Sequence, residues 1–196
     1  MLTGCADLAS KAIDAYLESK VQGLTKSKIS FSQEIKRMTL FGKEISFPCK
    51  IADLGEGFAY MESFAHTVPG YDWVVVPLTY EGKLIGTLTL SDYTEGMDLY
   101  QLYIEGINLG FDDVDTSLSP SERKEKREAE GRYLDKIEFS FAGVSFDSTQ
   151  EEIIERLGEP SKKEESVWEY NYHDEGYFDI YFYNGKVIRM EVNTYS

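Results

Sequence analysis

Few side chains in this sequence are of the types that carry out acid–base or nucleophilic chemistry near neutral pH. The 196 residues include two histidines, His66 and His173, and two cysteines, Cys5 and Cys49. A hydrolase needs a nucleophile, a base and an orienting acid, and the chain has no GxSxG, HExxH or related spacing. We therefore predict no catalytic residues, and we expect both histidines in exposed loops, with His173 in a turn beside Asp174.

Two groups of acidic residues offer the oxygen ligands that Ca²⁺ prefers. They are Asp112, Asp113 and Asp115 in one group, and Asp92, Glu95 and Asp98 in the other. An EF-hand also needs a glycine and a distant glutamate at fixed positions, and neither group has them. We predict acidic turns at both places, no metal site and no cofactor.

The N-terminal stretch Leu2-Thr3-Gly4-Cys5 matches the lipobox of bacterial lipoproteins, in which a peptidase cuts before a cysteine that carries diacylglycerol. The charged and apolar leader expected upstream of such a motif is missing from the sequence. We expect Cys5 to be lipidated and the protein to be tethered outside a bacterial cell. The alternative is a cytoplasmic protein in which Cys5 is incidental. Cys49 is then expected as a buried free thiol, with a Cys5–Cys49 disulfide as the alternative.

The charge of the chain limits its partners. There are 20 basic and 35 acidic side chains, for a net charge of −15, which repels phosphate backbones and anionic lipid head groups. Nucleic acid is therefore not expected as a partner, and membrane contact is expected only through the lipid on Cys5. Hydrophobic residues make up 42% of the chain, which is enough for a packed interior.

One segment of the chain occurs twice. Residues 54–56 match residues 157–159, and residues 80–85 match residues 183–188, both at an offset of 103. Laying residues 51–85 on residues 154–188 gives ten identities in 35 positions, where roughly two would arise by chance. The sequence therefore predicts an α+β protein built from two tandem helix-plus-antiparallel-sheet modules.

The second module, residues 137–196, has the clearer pattern. Ser148 and Glu151 have the spacing of a capping box, and the helix that they open is predicted to end at Gly158. Asn184-Gly185 predicts a type I′ turn between two strands. The predicted core positions alternate along the strands: Ile137, Phe139 and Phe141; Trp168, Tyr170 and Tyr172; Phe178, Ile180 and Phe182; Ile188, Met190 and Val192.

The first module, residues 35–116, is predicted to follow the same order. Its elements are leading strands over Ile35 to Phe47, a shorter helix over Pro48 to Leu54, a hairpin over Tyr71 to Leu90 that turns at Glu81-Gly82, and a strand over Tyr100 to Phe111. That last strand has no counterpart in the second module.

The strands that follow the two hairpin turns differ in their apolar positions. Ile188, Met190 and Val192 share one phase, whereas Leu88 and Leu90 lie one position out of step with them. Because a shift of one residue turns every side chain of a strand to its other face, we predict a β-bulge near Gly86.

Two polar segments flank the modules. Residues 1–34 contain the lipobox, an amphipathic helix predicted over residues 6–22, and a linker. Residues 117–136 are dense in Lys, Arg and Glu at spacings of four, which predicts a solvated helix that connects the modules.

The second module carries more aromatic side chains than one thin sheet can bury. Trp168, Tyr170 and Tyr172 are predicted to fill the core under the helix. Tyr177, Tyr181 and Tyr183 fall on the opposite strand face, and tyrosine is enriched where proteins bind one another. We predict that these last three tyrosines form a partner-binding surface.

Residues 143–145, 157–160, 168–170 and 182–187 together resemble the helix–sheet module of the β-lactamase inhibitor protein and SmpA/OmlA-like lipoprotein families. The first module, through residues 41–45 and 48–50, is similar to uncharacterised lipid-anchored proteins of Gram-positive bacteria that carry such a module. The resemblance implies short helices packed on an antiparallel sheet and a role without catalysis.

The expected function is therefore binding, by a non-catalytic, surface-anchored lipoprotein whose partner is a protein or a cell-envelope component. One alternative is inhibition of an extracellular enzyme by the same surface. The other is an enzyme of unrecognised type, which would need a pocket that gathers two titratable groups with perturbed pKa values.

Overall fold

The computed structural model describes residues 28–61, 65–67, 72–110 and 136–195. The helices in these ranges are α1 (Phe31–Glu34), α2 (Ile51–Leu54) and α3 (Gln150–Leu157), with a 3-10 turn at Leu99–Gln101. The strands are β1 (Met38–Leu40), β2 (Lys43–Ile45), β3 (Cys49–Lys50), β4 (Phe58–Tyr60), β5 (His66–Thr67), β6 (Val74–Tyr80), β7 (Lys83–Leu90), β8 (Tyr103–Gly110), β9 (Phe139–Phe141), β10 (Val144–Ser145), β11 (Lys162–Lys163), β12 (Val167–Asn171), β13 (Gly176–Tyr183) and β14 (Lys186–Thr194).

Several predictions concern residues outside these ranges. They are the lipidation site Cys5, the helix over residues 6–22, the acidic turn at Asp112, Asp113 and Asp115, and the connecting helix, of which only Lys136 is described. Within the described part of the chain, no helix is both long enough and apolar enough to cross a membrane.

The α+β class is confirmed, and the strands dominate. A small antiparallel sheet has the order β10-β9-β1-β2, and a large one has the order β11-β12-β13-β14-β8-β7-β6-β4. Two short strands extend the large sheet, since β3 pairs with β8 and β5 pairs with β6. Strands from both sequence modules meet in each sheet.

Strand β8 joins the two halves of the large sheet. It was predicted as an extra strand of the first module, and it pairs with β7 of that module on one side and with β14 of the second on the other. Ile107 lies opposite Leu88 of β7 and Val192 of β14, so apolar side chains form a continuous row across the three strands. Such long-range pairing leaves no local signature in the sequence.

One face of the large sheet, here called the inner face, is buried in a single hydrophobic cluster. Its members on the central strands are Val74, Val76, Leu78, Leu88, Leu90, Ile107, Leu109, Phe178, Ile180, Met190 and Val192. The small sheet packs on this face through Phe141, whose ring centroid lies 4.7 Å from that of Phe178. Trp168 and Tyr170 belong to the same core as predicted, whereas Tyr172 is only partly buried and stacks on Phe31 at 4.9 Å.

Helix α3 begins one residue later than predicted. Its capping box consists of Thr149, whose hydroxyl accepts from the Glu152 amide at 3.2 Å, and Glu152, whose carboxylate accepts from the Thr149 amide at 2.9 Å. The Ser148 hydroxyl instead accepts from the Ser145 amide at 3.0 Å, in the turn that precedes the helix. Ser148 is therefore unavailable as the cap.

Both predicted hairpin turns are present. Glu81 and Gly82 have φ values of 51° and 76°, and Asn184 and Gly185 have 48° and 73°, as a type I′ turn requires. Beyond each turn the register shifts by one residue, so that Ile85 and Ile188 are the bulged positions. The bulge near Gly86 is confirmed, but the second module has one at the matching position.

Since both modules have the bulge, the bulge does not explain why the buried residues of β7 and β14 alternate one position out of step. Val187 is buried and Ile188 only partly so, which corrects the predicted inward position of Ile188. The difference arises from the sheet order. The β6–β7 hairpin extends to one side of β8, and the β13–β14 hairpin extends to the other.

Candidate functional site: the outer face of the large sheet

The opposite side of the large sheet, here called the outer face, carries the tyrosines predicted to bind a partner. Along β13 the residues alternate, with Phe178 and Ile180 fully buried and Tyr177 and Tyr181 partly exposed. Tyr183 is also partly exposed and lies at the end of β13, opposite Lys186. The predicted orientation of the three tyrosines is therefore confirmed.

Tyr181 is held by a cation–π contact with an arginine that the sequence analysis did not select. Arg189 lies directly opposite it on β14, with the guanidinium carbon 3.6 Å from the centre of the Tyr181 ring. An amine of the same guanidinium lies 3.4 Å from a carboxylate oxygen of Glu191. The Arg189 and Glu191 side chains are 12% and 20% exposed, so this pair is screened much less than a surface ion pair.

Glu191 accepts hydrogen bonds from several neighbours at the centre of the outer face. The Tyr177 hydroxyl donates to it at 2.9 Å, the Asn193 amide at 3.0 Å and the Asn108 amide at 3.5 Å. Burial, followed by the charge of Glu191, raises the pKa of Tyr177 well above its usual value. These contacts fix the orientation of the carboxylate before any ligand arrives.

A row of three carboxylates crosses the outer face on adjacent strands. Asp179 pairs with Glu169 on one side and with Glu191 on the other. Burial, and then the charges of Glu191 and Glu169, raise the pKa of Asp179 from 3.8 to about 7, while Arg189 and Lys162 act in the opposite direction. The nearby cations are therefore too few to keep the Asp179 carboxylate fully ionised near neutral pH.

The outer end of the row is closed by an exposed ion pair. The Lys162 ammonium lies 3.0 Å from Glu169 and 2.9 Å from Glu164. These contacts raise the pKa of Lys162, which keeps its charge throughout the physiological range. Lys162 is thus paired with Glu164 and Glu169, and Arg189 is paired with Glu191.

Sequence reasoning found the tyrosines but missed the charged side chains beside them. Glu169, Asp179 and Glu191 occupy the polar positions of three alternating strands. Their contact depends on strand register, which places them in one row. A polar residue at the outward position of a strand is ordinary, so only the pairing distinguishes this row.

The two histidines lie apart from the outer row and are exposed, as predicted. His66 lies in the short strand β5 instead of a loop, which corrects that part of the prediction. His173 lies in a turn with a φ of 60°, and its Nδ1 is 2.7 Å from the carboxylate of Asp174. Among the described residues, no three His, Cys, Asp or Glu side chains are placed to hold a metal ion.

The second predicted acidic turn has a structural role at one of its residues. Asp92, Glu95 and Asp98 are all exposed, and the Asp98 carboxylate accepts from the Tyr100 amide at 3.1 Å. Asp98 therefore caps the 3-10 turn at Leu99–Gln101.

Cys49 is buried in β3, with 9% of its surface exposed. Burial, with the nearby charge of Asp53 as a smaller cause, raises the pKa of its thiol to about 12. It is therefore a thiol of low reactivity near neutral pH.

The fold and this face define an antiparallel α+β protein with one packed sheet face and one partly exposed face that carries fixed aromatic and charged side chains. Neither a protein-family model, nor a curated protein, nor a solved structure matches the chain. Function must be argued from the residues themselves.

Proposed function

We propose that the chain is a non-catalytic binding protein and that the outer face docks a protein partner through Tyr177, Tyr181, Tyr183 and the carboxylate row. The observation that carries this proposal is the central row, in which Asp179 lies between Glu169 and Glu191 and the opposing charges of Arg189 and Lys162 do not outweigh those of the two acids. A lysine or arginine of a partner would supply the missing positive charge.

The rigidity of the face supports binding over a passive polar surface. Tyr181 is fixed by Arg189, and Tyr177 by Glu191, so a partner would immobilise few additional rotamers. The entropic cost of association is therefore small for these side chains. The net charge of −15 favours encounter with a basic partner over a long range at low salt.

The proposal also covers the fold of the two modules and the location of the protein. Each module is a helix-plus-sheet unit similar to that of the β-lactamase inhibitor protein and SmpA/OmlA-like lipoproteins, and lipid on Cys5 tethers the protein outside the cell. The matching helix ends and hairpin turns of the two modules support the duplication. Membrane partition of the wild type and Cys5→Ala, expressed with the native upstream region, tests the anchor, since equal partition would remove it.

The test of docking is differential capture from a cell-envelope extract. Immobilised wild type is compared with Asp179→Lys and Tyr181→Ala, which change the outer face, and with Glu44→Lys and Tyr100→Ala as controls. Glu44 and Tyr100 are exposed residues away from the outer face. We expect a basic protein that the wild type and both controls retain and both face variants lose.

The same capture separates the alternatives. If the retained protein is a hydrolase whose activity falls on binding, the chain is an inhibitor acting through the proposed face. If the face variants capture the same proteins as the wild type, the outer face is not the docking site.

A further inference from the structure

Asp179 differs from the other two carboxylates of its row in having no hydrogen-bond donor. Glu169 accepts from the Lys162 ammonium at 3.0 Å. Glu191 accepts from four side chains, which are those of Tyr177, Asn193, Asn108 and Arg189. No residue in the described part of the chain donates to the Asp179 carboxylate, although Asp179 is only partly exposed. Its charge therefore lacks the direct contacts that the other two carboxylates have.

Strand register keeps Asp179 between two negative charges. It lies opposite Glu169 of β12 and opposite Glu191 of β14. Residues opposite each other on antiparallel strands have Cβ atoms about 5 Å apart, and like charges at such positions destabilise the pair. A proton on Asp179 removes both repulsions without any movement of the backbone.

The other charged and titratable groups near Asp179 come from β11, β13 and β14 and from the segments next to them. They are Lys162 with its partner Glu164, Arg189, Tyr177, Tyr181 and Tyr195. Burial raises the pKa of each of the three tyrosines, and hydrogen bonds to Glu164 and Glu169 raise that of Lys162. Since a guanidinium also stays charged, these tyrosines and the two cations keep one charge state between about pH 5 and pH 8.

Asp179 itself titrates within that range. Burial, and then the charges of Glu191 and Glu169, raise its pKa to about 7. Below this pH the folded protein holds a proton at Asp179, and above it the row carries one more negative charge. A single proton therefore sets the charge at the centre of the outer face near neutral pH.

A cation that docks on the row competes with this proton. A lysine or arginine of a partner stabilises the ionised form of Asp179, so its binding expels the proton from the carboxyl group. Because binding and deprotonation favour each other, the affinity for a basic partner rises with pH up to about 7 and is constant above it.

We propose that Asp179 is a proton-controlled switch of the outer face, which binds a basic partner when its carboxylate is ionised and releases that partner when the carboxyl group is protonated. The switch rests on the docking function proposed above and adds its regulation by pH. The protein then holds its partner in a neutral medium and releases it in a mildly acidic one.

The probe for this switch is a tetra-arginine peptide, because guanidinium groups stay charged at every pH of the experiment. Its binding to the wild type is measured by isothermal titration calorimetry at constant ionic strength, in buffers of different ionisation enthalpy that reveal proton release. We expect binding about tenfold or more tighter at about pH 8 than at about pH 5.5, with a proton released on binding at the lower pH values.

Two variants assign the pH dependence to one residue. Asp179→Asn keeps the shape and removes the titrating group, so we expect it to bind the peptide weakly and equally at both pH values. Asp147→Asn removes a carboxylate that is 83% exposed in the turn before α3, and it should keep the pH dependence of the wild type. Both histidines are present in all three proteins, so their titration produces no difference between them.

The titration of Asp179 in the free protein is followed by carboxyl ¹³C NMR, with the resonance assigned by its absence from Asp179→Asn. A titration near pH 7, with pH-dependent binding only in the proteins that keep Asp179, supports the switch. An ordinary pKa of about 4, or the same pH dependence of binding in wild type and Asp179→Asn, overturns the switch and leaves docking intact. Absence of peptide binding at every pH overturns both the docking of a basic partner and its control by pH.

Discussion

The hairpins β6–β7 and β13–β14 have matching sequences and backbones but bury opposite sets of residues. Tyr177, Asp179 and Tyr181 of β13 lie on the outer face, whereas their counterparts at an offset of 103, Val74, Val76 and Leu78, lie in the core. The α2 and α3 helices nevertheless end alike, with Gly55 at φ 90° and ψ −164° and Gly158 at φ 89° and ψ −167°.

The reason is the position of the two hairpins on either side of β8. Because β7 and β14 are both antiparallel to β8, they run parallel to each other, and so do β6 and β13. One hairpin must therefore be turned over about the strand direction relative to the other. Equivalent residues then point to opposite faces, and only a change of apolar phase lets both hairpins bury the same face.

This comparison shows how two hairpins of matching sequence come to differ in their exposed side chains. The outward positions of β6 include Val75 and Pro77, with no charge, and those of β13 are three tyrosines and an aspartate. Both hairpins must place apolar side chains on the inner face of the large sheet, because that face is buried. The side chains on the outer face are not constrained in this way and can differ between the hairpins. The candidate docking residues are consequently confined to the second half.

Exchanging the counterparts gives the largest expected effect. Val76 is fully buried, so Val76→Asp places a carboxylate in the core and should cost at least about 4 kcal/mol of unfolding free energy. The reciprocal Asp179→Val removes a carboxyl group that is already poorly solvated, so it should not destabilise the protein by more than about 1 kcal/mol. Urea unfolding measures both, and similar losses in the two variants would contradict the assignment of faces.

A second test addresses the close approach of strands beside the first bulge. Gly86 has a φ of 156°, and a Cβ there would collide with the main-chain oxygen of Asn108 on β8. Gly86→Ala should therefore cost about 2–4 kcal/mol, since backbone must move to accept it. Gly82→Ala is the matched control, because its Cβ would meet nothing within 4 Å and only the turn conformation is penalised, by about 1 kcal/mol. Equal losses would show that crowding against β8 is unimportant.

The elements with local signals were predictable. Both type I′ turns, the helix end at Gly158 and the alternation of Phe178 and Ile180 follow from patterns a few residues long. The helix start was misplaced by one residue, because two adjacent hydroxyl residues could serve as the cap and the Ser148 hydroxyl bonds to the preceding turn.

The features that depend on distant pairing could not be predicted. Nothing near β8 indicates that it pairs with β14, so neither the shared sheet nor the reversal of faces follows from the sequence. The tyrosines of the candidate site were found from alternation alone. The contact of Arg189 with Tyr181 and the row through Asp179 required the register of three strands.

The third test concerns the pH dependence that Asp179 confers and Val76 cannot. The pKa of Asp179 is raised to about 7 in the folded protein, so between about pH 4 and 7 the native state keeps a proton that the unfolded chain has released. The contribution of Asp179 to stability therefore falls as pH rises through this window and stays low above it.

Asp179→Asn removes that dependence. We expect the variant to be more stable than the wild type by about 1–2 kcal/mol at pH 8 and nearly equal to it at pH 4. Asp147→Asn serves as the control, because its side chain is 83% exposed and should show no such trend. A difference between wild type and Asp179→Asn that is the same at both pH values would contradict the raised pKa.

The smallest expected effect sharpens the comparison at the matching helix ends. At the end of α3, the buried Tyr170 hydroxyl donates to the Gly158 carbonyl at 3.2 Å. At the end of α2, the Nζ of the exposed residue Lys43 donates to the Leu54 carbonyl at 2.9 Å. Tyr170→Phe leaves a buried carbonyl without that donor and should cost about 1–2 kcal/mol. Lys43→Met should cost no more than about 0.5 kcal/mol, because this hydrogen bond is only partly buried and water can replace the ammonium. Thermal unfolding of both variants measures the ratio. A loss in Lys43→Met as large as that in Tyr170→Phe would mean that the carbonyl at the end of α2 is shielded from water as well as the one at the end of α3. The two helix ends would then be packed more alike than the exposed surfaces of the two modules indicate.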